Sequence, residues 1–431
     1  MVDSLVQKKN LVIIGGGFAG ATLAAKLEKR LPENWEVYLL SKTNFVTFNP
    51  LLPEVVGASV LPGHVQAPLR LIARHTRIRM VEAYEIDYEK NTVRYQSEEN
   101  GEIAFDELVF SAGVSANMNI LDGLAEHALP LKTVGDALFI RNRAIERLEQ
   151  ATIHPDPIRR KELTTFAIIG GGFSGVEVAG ELEDFLRSAQ KYYKNVEYAD
   201  CRVIILHGTD HLLPELSEKL GKKTEKIFKR RGIRVHLNTR ASKIENEKIV
   251  LTDGSVINAA NIICTIGTAP HTFLQHNEAL PTDRGRIIVE PDMSVKGSEN
   301  LWALGDCALV PNKYDGKLSP PTAQFADRQA RFLAKNIISK IKGKPTREFS
   351  YKPAGMLASI GHNNAVAEIY GLRMSGIIAF FIWRAIYLAK VPTLQRKTRL
   401  FLEWTWSVFF PHDIAHLGFS RTTVDPQKKQ K

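Results

Sequence analysis

An α/β protein with two Rossmann-like folds, one inserted in the other, followed by a C-terminal amphipathic helical region, is the architecture this sequence predicts. Three features predict it: a glycine-rich segment that occurs twice, a late Gly-Asp element after an apolar run, and a basic, aromatic tail. The repeat pairs Leu11–Glu28 (LVIIGGGFAGATLAAKLE) with Phe166–Glu183 (FAIIGGGFSGVEVAGELE), which agree at 10 of 18 positions at an offset of 155. Each copy is a short apolar run, a glycine turn, then apolar residues at helical spacing, hence strand–turn–helix. Each contains GxGxxG: Gly15, Gly17 and Gly20, then Gly170, Gly172 and Gly175. The first glycine permits the tight turn, the second lets a pyrophosphate approach the backbone, and the third lets helix and strand pack closely. Phe18 and Ala19, and Phe173 and Ser174, then stand in the first helical turn, where free N–H groups suit phosphate. One such motif could be a plain turn; two, each after a buried strand and opening a helix, predict two dinucleotide seats.

The next strand of each unit ends where a ribose-binding carboxylate is expected. Trp35–Ser41 (WEVYLLS) brings Ser41 and then Lys42 there, and Arg202–His207 (RVIILH) brings His207; neither supplies an acid. Without that carboxylate, a preference for NADH over NADPH does not follow. Each unit closes on an apolar strand running into small residues, with Ala112 and Gly113 in LVFSAG and Gly267 in IICTIG. A third such strand, LWALGDCA, presents Gly305 and Asp306. Alone this is a turn; beside two nucleotide folds, Asp306 reads as a carboxylate for a flavin's ribityl chain.

The chain has 431 residues, 44% hydrophobic and 24% charged, enough for two or three domains with real cores. That composition excludes a disordered chain, a collagen-like repeat and a multi-spanning membrane protein. Cys201, Cys264 and Cys307 form neither a disulfide framework nor a CxxC pair, so no metal site is expected. No secretory segment is read at the start, and the longest apolar stretch, around Ile377–Leu388, is interrupted by Arg384 and short of a bilayer span. The formal charge of +10 suggests a polyanionic partner. Its location chooses among them: residues 370–431 carry ten Lys and Arg against three acids, with Trp383, Trp404 and Trp406 and with Phe380, Phe381, Phe401, Phe409 and Phe410. Aromatics, isoleucines and interleaved cations around Pro392 describe helices lying in a lipid headgroup plane, through residues 375–420, rather than a nucleic-acid surface. The alternative is a core or dimer-interface helix pair, and a homodimer stays open. Asp425–Lys431 reads as a disordered basic end.

The whole arrangement resembles the two-dinucleotide-binding-domain flavoproteins, of glutathione-reductase-like fold, and within them the type II NADH dehydrogenases. Four stretches carry the resemblance: Phe48–Gly57 (FNPLLPEVVG), Gly170–Leu182 (GGGFSGVEVAGEL), Pro320–Gln329 (PPTAQFADRQ) and Ser375–Ile414, which includes FFPHDI. It implies FAD on the first glycine loop, NADH or NADPH on the second, and a membrane quinone as acceptor, in a non-proton-pumping enzyme on the cytoplasmic face of the cell membrane. The corresponding division is an FAD-binding domain at 1–125, a connecting helix at 126–160, a nucleotide domain at 161–285, a second FAD part at 286–355 and a membrane-binding region at 356–431.

The resemblance makes Glu177, which aligns with Thr22 of the first copy, the acid facing nicotinamide and flavin. A carboxylate favoured by the helix dipole is the plainer reading. Glu181 and Glu183 are expected on a helix pair and solvent face. It makes Pro321, Ala323, Gln324 and Arg328 the quinone segment, with Gln324 bonding a quinone carbonyl. Here the chain departs from the family's AQxAxQ: position 328 holds Arg, and the glutamine follows as Gln329. A reductase of a quinone precursor, or of a ferredoxin- or rubredoxin-type carrier, keeps the same cofactors, and a non-catalytic nucleotide-sensing membrane scaffold is the alternative of another class.

Overall fold

The computed structural model describes residues 8–275 and 279–418, so the basic end at 425–431 lies outside the described residues. Five parallel strands form the first sheet, in the order Leu301–Ala303, Glu107–Phe110, Lys9–Ile14, Trp35–Ser41, Arg77–Met80. The second repeats the plan with Leu129–Pro130, Asn261–Cys264, Thr165–Ile169, Arg202–Leu206 and Arg234–His236. Their central strands are buried on both faces, as continuous Val/Ile/Leu runs require of a parallel sheet. In each sheet the strand before the glycine loop is flanked by its sequence successor on one side and by a much later strand on the other. That reversal of order opens a crevice at the carboxyl ends of the strands, where ligands of such sheets bind.

The chain leaves the first fold after Glu107–Phe110, builds the second, and returns with Leu301–Ala303 beside the strand it left. One fold is therefore inserted in the other, as the sequence predicts. A short antiparallel pair, Val114–Ala116 with Thr268–Pro270, joins the outgoing and returning segments.

Residues 355–376 form a three-stranded antiparallel sheet, followed by helices Ile377–Lys390 and Leu394–Phe409. The break at Pro392 is where the sequence places it: Pro lacks an N–H and disfavours a helical residue before it. Each helix buries one stripe, Ala379, Phe380 and Trp383 on the first, Leu400 and Trp404 on the second. The opposite faces expose Ile377, Ile378, Phe381, Phe401, Leu402, Trp406, Val408 and Phe409. Among the described residues no helix is long and apolar enough to cross a membrane.

Buried carboxyl groups hold this region to the rest. The Trp404 indole N–H donates to Glu54 Oε2 at 2.8 Å, across 350 residues. Glu403 accepts from the Leu61 amide at 2.6 Å and pairs with His64, while Arg396 donates to the Gly63 carbonyl at 2.6 Å. Ser59 donates to Glu181 at 2.8 Å, and Gly57 packs so closely on Glu181 that a Cβ there would lie 2.6 Å from its carboxylate. Glu181 and Glu183 are thus buried, not on the solvent face expected of them, because helix Phe173–Ala189 is wedged between its own sheet, the 52–59 segment and the C-terminal sheet. Glu183 receives Arg187, Arg231 and Tyr198, and burial alone would raise its carboxyl; these partners hold it below its ordinary range.

Glu54 and Glu181 have no such excess of cations. Burial, then the neighbouring Glu181, pushes Glu54 up to about 8; burial, then Asp184, pushes Glu181 up to about 7. Both therefore fold as neutral acids and ionise later in the native state than in the unfolded chain, where a Glu titrates near its ordinary 4.5. The sign follows: their stabilisation is complete at acid pH and is lost as pH rises through 7 to 8. Circular-dichroism melts should show the melting temperature falling between about pH 5 and pH 8.5. Glu54→Gln, which still accepts from Trp404, should flatten that fall; an unchanged slope would remove Glu54 as its source.

Candidate active site

The two glycine loops lie at the two crevices, and their geometry is the same. Gly15 and Gly170 have φ of +107° and +117°, in the region that favours glycine. A Cβ on Gly20 or Gly175 would sit 1.9 Å from the carbonyl oxygen of Gly15 or Gly170, so each helix meets its own turn at a distance only glycine allows. Gly17 and Gly172, at the helix N-caps, have no side-chain cap. Gly17 faces open space, and Gly172 meets only the Glu215 carboxylate at 3.6 Å. Uncapped helix N-termini beside bare glycine backbone suit a pyrophosphate. Phe18, Ala19, Phe173 and Ser174 supply the first helical turns.

The closing strands lock each loop from behind. Ser111 donates to the carbonyls of Ile14 and Gly15 at 2.9 Å, and Thr265 donates to the Ile169 carbonyl at 3.0 Å. Ala112 lies directly against Gly15, while Gly113 opens beyond it with φ +69°. Gly267, φ +78°, turns toward Asn117 and Ile120 rather than toward its glycine loop. At the ribose positions the strand-end side chains are turned inward or already paired. Ser41 is buried beneath Gly16, and Lys42 pairs with Glu82 at 2.5 Å. His207 Nδ1 accepts from the Gly171 amide at 3.0 Å, its Nε2 meets Thr209 Oγ1 at 2.7 Å, and burial, then His211, lowers its pKa. The imidazole is therefore neutral and braces the loop.

Gly305 and Asp306 reach the first loop from the returning strand. Gly305, φ +76°, packs against Ala19, a Cβ there lying 3.3 Å from that of Ala19. Asp306 is raised by burial, with Lys132 and Arg286 opposing. Gln329 holds this turn: fully buried, it accepts from the Gly305 amide at 2.8 Å. The one-residue displacement from position 328 turns a helical side chain by about 100°, here off the cleft and onto the backbone behind Asp306.

Arg328 takes the outward direction, exposed, with its guanidinium 5.3 Å from the Tyr351 ring. Gln324 Nε2 donates to the same tyrosine's hydroxyl at 2.7 Å, and Ala323 and Pro321 precede it at the helix start, where Thr322 is the cap. Lys390, at the end of helix Ile377–Lys390, faces this group: burial and then Arg328 lower its pKa, and it lies over the Tyr387 ring at 5.9 Å. The sequence reading had not singled out Tyr351, Tyr387 or Lys390.

Glu177 stands where the two folds and the tail converge. It is 6% exposed, accepts from the Ser359 amide at 3.3 Å, and is held well above the ordinary carboxylate range by burial, with Glu54 and Glu181 adding repulsion. It is a neutral acid, so a helix-dipole partner, which must be charged, is the weaker explanation. Burial, then Glu177, also raises Tyr387. From Tyr387 the contacts run to Phe48 at 6.0 Å and on to Phe18 at 5.6 Å, on the first glycine loop. Thr22, the counterpart of Glu177, instead donates to Asp327 at 3.2 Å. Glu54 also escaped the sequence reading, although a lone acid inside the apolar run LLPEVV was a signal for it.

Comparison with known proteins agrees with this geometry. A pyridine nucleotide-disulphide oxidoreductase family model matches residues 9–330, and an NDH2 C-terminal domain model matches residues 354–413. The type II NADH:quinone oxidoreductase NdhA of Mycobacterium tuberculosis is 30% identical over 421 residues, covering 94% of this chain and 87% of that protein. External NADH-ubiquinone oxidoreductase 2 of Saccharomyces cerevisiae mitochondria is 28% identical over 460 residues, covering 95% and 83%. The structure of NDH2 from Plasmodium falciparum in complex with NADH superposes with a TM-score of 0.88 at 20% identity, over 95% of this chain and all of that one, a likeness of fold. The two family models, which together span most of the chain, and the 30% identity to NdhA over nearly the whole of both chains show the family: the chain belongs to the type II NADH:quinone oxidoreductases.

Proposed function

We infer that this chain is a non-proton-pumping NAD(P)H:quinone oxidoreductase that works through FAD. The observation that carries this reading is a pair of open glycine loops, with Glu177 on the helix of the second linked through Tyr387 and Phe48 to Phe18 on the first. FAD, when bound, supplies the hydride acceptor and the two-electron relay. The chain's own groups bind, orient and exclude water. The amides around Gly17 and Gly172 hold the two pyrophosphates, and Asp306 holds the ribityl chain. Glu177, held neutral and accepting through Oε1 from the Ser359 amide, carries a proton with which to orient the nicotinamide carboxamide. The aromatic contacts Phe18, Phe48 and Tyr387 keep water from the same volume, where positioned dipoles act most strongly.

The quinone approaches between the Gln324 helix and helix Ile377–Lys390. There Gln324 offers an amide donor to a carbonyl oxygen, while Arg328 and Lys390 offset negative charge as that oxygen is reduced. A carrier protein is a poorer acceptor for such a mouth, because the residues around it turn their apolar side outward as a continuous aromatic and aliphatic face. That face, Ile377, Ile378, Phe381, Phe401, Leu402 and Trp406, fits the headgroup region of a bilayer on the cytoplasmic side, with Lys397 and Arg399 beside it.

Gln324→Ala should slow reoxidation of the reduced flavin by quinone about tenfold, the worth of a lost hydrogen bond to a reacting oxygen. Stopped-flow should show flavin reduction by nucleotide continuing at its original rate; equal losses in both half-reactions would sink the assignment. Replacing Phe381, Phe401 and Trp406 together by Ser should lower co-sedimentation with anionic liposomes more than tenfold, given about 1.5–3 kcal/mol for each buried large apolar side chain. Intact near-ultraviolet circular dichroism would show that the fold survives, and undiminished sedimentation would move the membrane face elsewhere.

A further inference from the structure

The second nucleotide seat has an unusual ribose corner. The strand that ends there, Arg202–Leu206, is followed by His207, Gly208 and Thr209, with no carboxylate at the position that bonds a 2′-hydroxyl. His207 cannot stand in for one, since both ring nitrogens are already engaged, with the Gly171 amide and the Thr209 hydroxyl. The nearest acid in sequence, Asp210, is turned onto His211 at 2.7 Å.

A cation occupies the corner instead. Arg240 lies across Gly208, its Nε 3.0 Å and its Cγ 3.3 Å from the point where a Cβ on residue 208 would be. A side chain at 208 would press on the Arg240 side chain, which glycine leaves free to lie there. The segment that carries it is fixed against the strand end by backbone hydrogen bonds. The His207 amide donates to the His236 carbonyl and the Thr239 amide to the His207 carbonyl, both at 2.9 Å, and the Asn238 amide donates to the Thr209 carbonyl, also at 2.9 Å. Arg240 is exposed, and among the described residues no carboxylate pairs with it. An arginine on a backbone segment fixed to the strand end, without an acidic partner, beside a strand end without an acid, is the arrangement that receives a ribose 2′-phosphate.

Building on the reading of the Gly170–Gly175 loop as the nicotinamide nucleotide seat, we infer that this seat is specific for NADPH, with Arg240 binding the 2′-phosphate across Gly208. The phosphate gains a planar guanidinium fork with which, among the described residues, no carboxylate is paired. NADH, in contrast, offers its 2′-hydroxyl to a corner with no acceptor.

The test uses the purified full-length holoprotein with a water-soluble short-chain benzoquinone as acceptor. The wild type should show kcat/KM for NADPH about tenfold or more above that for NADH. Arg240→Ala should lower the NADPH-to-NADH ratio of kcat/KM about tenfold or more, chiefly through KM, and Arg240→Lys should retain part of it. Gly208→Glu, which fills the cradle and supplies an acid, should invert the preference. Calorimetric titration gives a readout independent of turnover: 2′,5′-ADP should bind the wild type more tightly than 5′-ADP, and the difference should vanish in Arg240→Ala. A wild type that favours NADH tenfold, or an Arg240→Ala variant that leaves the ratio and the 2′,5′-ADP difference untouched, would overturn the inference. Flavin bleached by NADH alone leaves the oxidoreductase standing without NADPH specificity. Flavin bleached by neither nucleotide removes the oxidoreductase reading, and the 2′,5′-ADP titration still decides the corner.

Discussion

A carboxyl group buried without a cation needs a hydrogen-bond donor, and Glu54 finds its donor 350 residues away in the Trp404 indole. Much of the structure is arranged by that need. Glu54 sits on a short helix beside the first fold, Glu177 and Glu181 on the glycine-loop helix of the second, and Trp404 and Arg384 on the C-terminal helices. No one of these elements can satisfy the acids by itself. Arg384 lies over the Phe380 and Trp404 rings at 4.4 and 5.2 Å and attracts both Glu54 and Glu181, yet burial outweighs its pull on each. The three parts of the chain close on one another around neutral acids, and the crevice between the folds inherits a dry wall.

The two copies of the glycine segment show how one element acquires two uses. Backbone and glycine positions are held in common, down to Ser111 and Thr265 bracing equivalent carbonyls. The difference lies one helical turn on. Thr22 faces the helix that begins at Ala323, and Glu177 faces the strand that ends at Ser359. Each of these side chains thus touches a different late addition to the fold, and the pair marks where the two copies part.

The fold was legible because its signals are local. Apolar runs of five or six residues, GxGxxG and the returning Leu301–Ala303 strand each follow from short-range sterics. The nucleotide loops were legible for the same reason. Around them, sequence reading failed wherever a side chain's environment comes from a distant segment. Glu181 and Glu183 carry a surface helix's charge pattern, and nothing within ten residues reveals that the 52–59 segment and the C-terminal sheet cover them. Ser41 and His207 occupy the expected strand ends but point beneath their loops, a direction that spacing does not specify. Gln329 looked like a misplaced ligand and is a backbone clamp, a role that depends on Gly305 being brought to it by the sheet.

The tail has consequences for anyone who would handle this enzyme away from lipid. Its two helices present an apolar face outward and cover buried acids with the other, so the outer face and the plug are the same fourteen- and sixteen-residue pieces. Trimming them to improve solubility would strip Glu54 of its donor and wet the crevice together with the surface. A detergent-free preparation has to keep the helices and repaint only their outer stripe.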